Sequence, residues 1–126
     1  MDTRTKILTP AALAALDAPQ PLVAVTGRFD ILRTDLAREL AAARERTGAK
    51  SLLAVVRPFE GELAPIEARA ELAAALRLVD YVFIAENEDL ASLADAVHAM
   101  ETIDLEPGDA ERTRKLIEHV HSRQSA

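Results

Sequence analysis

The 126-residue chain contains no cysteine and no tryptophan, and its aromatic content is only 3%. Without cysteine there is no disulfide framework, no thiolate nucleophile and no cysteine-based metal site. With so few aromatic side chains, alanine, leucine and valine have to fill the core. No apolar run is long enough to cross a bilayer, and the short apolar stretch after Met1–Lys6 is not typical of a signal peptide. We therefore expect a cytoplasmic protein that does not contact a membrane.

Basic residues are also few, with 15 lysines and arginines against 21 acidic residues and a net charge of −6. A general nucleic-acid binder needs a basic face, so we expect no nucleic-acid partner. Hydrophobic residues make up 49% of the chain and charged residues 29%, a balance typical of a globular protein. The length is sufficient for one core, which predicts a single domain over residues 1–126.

Short apolar segments alternate with segments of helical periodicity along the chain. The predicted strands are Leu22–Val25, Ser51–Val56, Tyr81–Ile84 and Thr102–Leu105. The predicted helices begin at Thr9-Pro10, near Thr34, at Pro65, at Asn87 and after Pro107-Gly108, the last one carrying Leu116, Ile117 and Val120. Gly48 is expected to end the second helix. Strands that alternate with helices predict a three-layer, Rossmann-like α/β fold, with about four to five parallel strands and helices on both faces.

The stretch Leu22–Leu36 carries the strongest indication of a site. Its strand is broken at Thr26-Gly27 and a helix follows near Thr34. A strand, a glycine turn and a helix N-terminus form the commonest ligand-binding corner of an α/β sheet. The sequence Thr-Gly-Arg-Phe-Asp at 26–30 resembles the first motif of the cytidylyltransferase-like nucleotidyltransferases. The resemblance is greatest to the branch that activates heptose or glycerol phosphates.

A second landmark extends this resemblance. Pro65–Arg69 followed by Leu78–Val82 is similar to the proline–arginine helix and Val-Asp-x-Val strand start of the family. The match runs from about Leu22 to Ile84. The chain departs from the family in the loop before Pro65, where Arg57 is its only basic residue, and in a shorter segment after Met100. It departs again at the start of the last helix, where only Thr113 fits the Ser/Thr-rich pattern of the family.

The departure that matters most for catalysis is the absence of the His-x-Gly-His motif of the family. This chain has Arg33-Thr34-Asp35-Leu36 at the corresponding place. In the family both histidines donate hydrogen bonds to the phosphoryl group that is transferred. Leu36 cannot donate, Asp35 adds a negative charge where a triphosphate would lie, and Arg33 can replace at most one donor. The resemblance therefore implies no catalytic residue, only this degenerate motif.

The resemblance does imply candidates for nucleotide or anion binding. They are Thr26, Gly27, Arg28, Phe29, Asp30, Arg33, Arg57, Arg69 and Thr113. For the arginines the alternative is a solvated position or pairing with Glu60, Glu62 and Glu67. Asp30 either points into the site or braces the turn. Phe29 is expected to be buried beneath the turn. His98, His119 and His121 show no ligand spacing, so no metal site is expected.

Three functional interpretations follow. The first is a degenerate nucleotidyltransferase-like domain that has lost catalysis and serves as a binding or assembly module. Its partner would be a nucleotide or another phosphate-bearing small molecule, and no cofactor is implied. The alternative is an active enzyme that transfers a nucleotide to a sugar or polyol phosphate and uses Mg²⁺ with CTP or ATP. The third is a homodimeric structural unit without a ligand.

Overall fold

A computed structural model of the chain describes residues 3–29, 34–58 and 64–105, with Thr34 and Asp35 described in their backbone alone. After a 3₁₀ turn at Thr3–Lys6, the strands are β1 (Ile7–Leu8), β2 (Leu22–Gly27), β3 (Ser51–Val56), β4 (Tyr81–Ile84) and β5 (Ala99–Asp104). The helices are α1 (Pro10–Ala14), α2 (Thr34–Thr47), α3 (Ile66–Ala74) and α4 (Leu90–Ala96). None of the helices in these ranges is long and apolar enough to cross a bilayer.

The strands form one parallel sheet in the order β1-β4-β3-β2-β5. The three-layer, Rossmann-like α/β prediction is confirmed. The chain passes from β2 to β3 to β4 in one direction and then returns to place β5 on the other side of β2. The reversal makes the junction of β2 and β5 the topological switch point, the place where open α/β sheets usually bind ligands.

Each face of the sheet carries its own hydrophobic core. On one face, side chains of α2 and α3 pack on alternate residues of the strands, with Leu40, Val25 and Val82 fully buried among them. On the other face, Leu13, Leu93 and Phe83 join α1 and α4 to the sheet. Because both faces are covered, β2 and β3 are apolar along their whole length, as expected for interior parallel strands.

Helix ends agree with the sequence prediction at α1 and α2 and differ from it at α3 and α4. The hydroxyl of Thr9 accepts a hydrogen bond from the Ala12 amide at 3.1 Å and caps α1. Gly48 follows α2 with φ +66°, a left-handed conformation that glycine adopts at low cost. The prediction that Asn87 caps α4 is wrong, because Asp89 holds that position in extended conformation. Pro65 lies at the N-cap of α3 rather than inside it.

Three strands differ from the prediction. β1 was not expected; it has two residues and pairs with Val82 and Phe83 of β4. β5 begins at Ala99, three residues earlier than predicted, and alternates half-buried with exposed positions. β2 continues through Thr26 and Gly27 instead of breaking there. The predicted turn at Pro107-Gly108 and the last helix lie outside the described residues.

Candidate phosphate site at the carboxyl edge of the sheet

The carboxyl ends of β2 and β3 place two arginines next to each other. Gly27 and Val56 are register partners at the end of these strands, and Arg28 and Arg57 are the residues that follow. Both arginines are half-buried. They therefore lie at the carboxyl edge of the sheet, where a ligand of an α/β fold usually binds.

Arg69 supports this edge from beneath. Its side chain is fully buried, and its Nη1 donates to the carbonyl oxygens of Arg28 and Arg57, each at 2.9 Å. Its Nε donates to the carbonyl oxygen of Ala64 at 3.2 Å. The alternative that Arg69 is solvated is therefore wrong. The guanidinium group ties two strand ends to the start of α3, because its fixed fork of donors can reach several acceptors at once.

The turn after β2 takes its unusual backbone conformation at Phe29, not at a glycine. Phe29 has φ +52°, while Gly27 is an ordinary strand residue. The Phe29 side chain is only 2% exposed and belongs to the core on the α2–α3 face. Its predicted burial is confirmed. Packing of the ring offsets the steric cost of a left-handed residue that carries a Cβ atom.

Thr26 joins β2 to β5 at the switch point. Its fully buried hydroxyl donates to Oδ1 of Asp104 at 3.1 Å, and its carbonyl oxygen accepts from the Leu105 amide at 2.8 Å. This contact makes Thr26 part of the sheet framework. Asp104 was not among the predicted site residues, although the pattern at Thr102–Leu105 already placed a strand there.

Leu36, which the sequence resemblance aligns with the second histidine of the His-x-Gly-His motif, is a core residue. It is 2% exposed and lies in the same hydrophobic cluster as Phe29 and Leu40. Its side chain offers no hydrogen-bond donor, and the position faces the sheet. Asp30, Arg33 and Thr113 lie outside the described residues, as does the side chain of Asp35. The ligand roles of these residues, and those of Arg28 and Arg57, stay predictions.

Histidine and acidic residues do not assemble a metal centre in the part of the chain that the structure describes. His98 is exposed and lies just beyond the C-terminal end of α4 with φ +55°. His119 and His121 fall outside the described ranges.

The sequence matches no protein-family model and no curated protein. Among solved structures it is similar to the crystal structure of the lipopolysaccharide core biosynthesis protein from Thermoplasma volcanium. The TM-score is 0.53 and the identity 20%, over 64% of this chain and 70% of that one. A likeness at this identity concerns the fold, and it agrees with the strand order and layers described above. The chain is thus similar in its Rossmann-like architecture to a protein of lipopolysaccharide core biosynthesis.

Proposed function

We propose that this domain is a nucleotidyltransferase-like module that binds a phosphate-bearing small molecule and does not transfer a nucleotide. The binding site is the carboxyl edge of β2 and β3. Support for the class comes from the motif resemblance at 26–30 and from the structural likeness to a biosynthesis protein.

The observation that carries the proposal is the arginine pair at this edge. Arg28 and Arg57 directly follow β2 and β3, whose last residues are register partners. Arg69 donates hydrogen bonds to the backbone carbonyl oxygens of both arginines. Each guanidinium group has five N–H donors, so a phosphate can share it with other acceptors. The 14-residue helix α2 begins after the turn that follows β2, and its N-terminus adds a favourable partial positive charge.

Acidic groups border the arginine pair. Asp104 ends β5 on one side and Glu86 follows β4 on the other, and the whole chain carries a net charge of −6. We therefore expect the positive potential of the arginine pair to be local to the ends of β2 and β3. We expect selective but weak binding of compact phosphate groups, with affinity that falls as salt rises.

Loss of nucleotidyl transfer follows from Leu36. Transfer depends on preorganised donors around the developing charge, and removal of one such donor typically lowers the rate by about 10²–10³-fold. The family uses two histidines, and here one position is filled by a buried leucine. In the proposed module, the domain keeps the anion-binding edge of the fold but lacks the donors that stabilise the transition state.

Thermal unfolding with a panel of phosphate ligands tests the binding proposal. Inorganic phosphate, glycerol phosphate, ATP and CTP are each added to the wild-type chain. A ligand at ten times its Kd stabilises the native state by about 1.4 kcal/mol, which raises Tm by about 3–6 °C for a domain of this size. The double variant Arg28→Ala/Arg57→Ala keeps the backbone acceptors of Arg69 and should lose this shift.

The matched control is Arg77→Ala, which removes an exposed arginine just beyond the C-terminal end of α3. Because α3 runs back from the carboxyl edge, Arg77 lies toward the opposite end of the sheet. Its removal should leave the ligand-induced shift unchanged. Equal shifts in the control and the double variant would place the ligand elsewhere, and no shift with any ligand would contradict the proposal.

The likeness to a biosynthesis protein also favours the alternative, an active enzyme that uses CTP or ATP with Mg²⁺ on a sugar or polyol phosphate. Pyrophosphate release separates the two functions. Many turnovers per domain would establish the alternative, whereas binding without release supports the module proposed here.

A further inference from the structure

Asp104 brings a carboxylate to the border of the arginine pair. It is the last residue of β5 and the register partner of Thr26 in β2, and Arg28 lies two positions after Thr26. A strand rises about 3.3 Å per residue and neighbouring strands lie about 4.8 Å apart, so the Cα atoms of Asp104 and Arg28 are about 8 Å from each other. A phosphate group held by Arg28 therefore lies within the electrostatic range of Asp104.

The carboxylate of Asp104 is held in place by the sheet. The fully buried hydroxyl of Thr26 donates to its Oδ1 at 3.1 Å. The next amide, that of Leu105, donates to the carbonyl oxygen of Thr26 at 2.8 Å. Asp104 itself is exposed. A carboxylate has about four acceptor positions, so it keeps its negative charge while it accepts from Thr26 and from other donors.

A second carboxylate borders the arginine pair on the other side. The Ala85 amide, directly after β4, donates to the carbonyl oxygen of Val56 at 2.9 Å, and the next residue is the exposed Glu86. Because β2 and β3 separate β5 from β4, the two acidic strand ends are three strand spacings apart, about 14 Å. A phosphate group at the arginine pair lies between them, whereas a chain of phosphates along this edge approaches a carboxylate.

We propose that Asp104 restricts the phosphate site to ligands with a single phosphate group, the phosphate monoesters, and disfavours diphosphates and triphosphates. The inference rests on the proposed function, since it concerns the ligand class of the same arginine pair. Two arginines alone favour polyphosphates, because each added phosphate brings more negative charge to the guanidinium groups. Asp104 opposes this gain, because the charge of the added phosphates also approaches its carboxylate.

The contact between Thr26 and Asp104 does not by itself require a negative charge. The amide oxygen of an asparagine also accepts a hydrogen bond from a hydroxyl group, and position 104 is exposed. The charge of Asp104 therefore has an effect on the site that is separate from its contact with β2. Asp104→Asn removes the charge and keeps an acceptor for Thr26, so this variant separates the two effects.

Titration with inorganic phosphate, pyrophosphate and tripolyphosphate tests the proposal, because these probes differ only in the number of phosphate groups. Calorimetry gives Kd for the wild-type chain, Asp104→Asn and Asp95→Asn at constant low ionic strength without divalent cations. Asp95 is exposed and lies in the last turn of α4. Because α4 leads from the carboxyl end of β4 back to the start of β5, Asp95→Asn removes the same charge near the opposite edge of the sheet.

We expect the wild-type chain to bind tripolyphosphate no more tightly than inorganic phosphate. In Asp104→Asn the affinity for tripolyphosphate should rise about fivefold relative to that for phosphate, and a second neutral variant, Asp104→Ser, should show the same change. Asp95→Asn should keep the wild-type ratio, and circular dichroism checks that each variant is folded.

An unchanged ratio in the variants of Asp104, or an equal change in Asp95→Asn, would overturn the inference while phosphate binding itself stands. If the wild-type chain bound none of the three probes, the proposed function would fail and this inference with it.

Discussion

Nη1 of Arg69 lies 2.9 Å from the carbonyl oxygen of Arg28, a residue 41 positions earlier in the chain. The same nitrogen is bonded to the carbonyl oxygen of Arg57. One buried cation therefore fixes the ends of two adjacent strands, and each strand end presents an arginine of its own. This relationship links the stability of the domain to the geometry of the proposed phosphate site.

Replacing Arg69 tests its structural role. Arg69→Met keeps the volume but leaves three backbone carbonyl groups without their donor, and we expect a loss of about 3–5 kcal/mol in the free energy of unfolding. Arg69→Lys should also be strongly destabilising, since an ammonium group cannot reproduce the fork. Urea unfolding measures both variants. Arg77→Met is the exposed control and should change stability by less than about 0.5 kcal/mol; a comparable effect at both positions would contradict the role given to Arg69.

Phe29 combines a buried ring with a left-handed backbone, and two variants separate the effects. Phe29→Ala should cost about 3–5 kcal/mol through the lost packing. Phe29→Gly loses the same ring but removes the Cβ strain at φ +52°, so it should be less destabilised by about 1 kcal/mol. Chemical denaturation gives both values. A loss under about 1 kcal/mol for Phe29→Ala would mean that the ring is not packed in the core.

His98 offers a stabilising substitution. It lies just after the C-cap of α4 with φ +55°, and its side chain is exposed. His98→Gly should raise the free energy of unfolding by about 1 kcal/mol, because glycine adopts this conformation without steric cost. His98→Ala keeps the Cβ atom and should bring no such gain. Thermal unfolding measures both variants. Equal Tm values for His98→Gly and His98→Ala would contradict this explanation.

The sequence predicted best where burial is continuous. The bounds of Ser51–Val56 and Tyr81–Ile84 agree with the structure because interior parallel strands are uninterrupted apolar runs. β1 was missed because two residues carry no periodicity, and only its pairing with β4 defines it. β2 was ended too early because Thr26 is polar, although its hydroxyl is satisfied inside the sheet by Asp104.

The candidate site was predictable in its place but not in its construction. The resemblance at 26–30 led to the carboxyl edge, where Arg28 and Arg57 do lie. The structural role of Arg69 could not be predicted in the same way, because its guanidinium group donates to three backbone carbonyl oxygens. Every residue has a backbone carbonyl group, so residue types do not indicate which of these groups accept a hydrogen bond. For the same reason the left-handed conformation of Phe29 had no signal, since sequence patterns assign such positions to glycine.

Introducing the His-x-Gly-His motif of the resembled family should not create an enzyme. In the variant Arg33→His/Asp35→Gly/Leu36→His, the new imidazole at position 36 takes the place of a core side chain. We expect lower stability, because a polar ring is buried without a provided partner, and no pyrophosphate release with ATP or CTP and Mg²⁺. Leu36→Met is the control and should cost less than about 1.5 kcal/mol. Rapid release by the triple variant would show that the histidines alone were missing.

A single phosphorus NMR experiment can detect both phosphate binding and nucleotidyl transfer. Wild-type protein is mixed with MgATP or MgCTP and a set of sugar and polyol phosphates, and the spectra are followed over time. We predict that phosphate resonances shift or broaden with wild-type protein and with Arg77→Ala. The Arg28→Ala/Arg57→Ala variant should leave them unchanged, and no pyrophosphate resonance should appear in any sample. A growing pyrophosphate signal, or resonances that the wild-type protein leaves unchanged, would contradict this prediction.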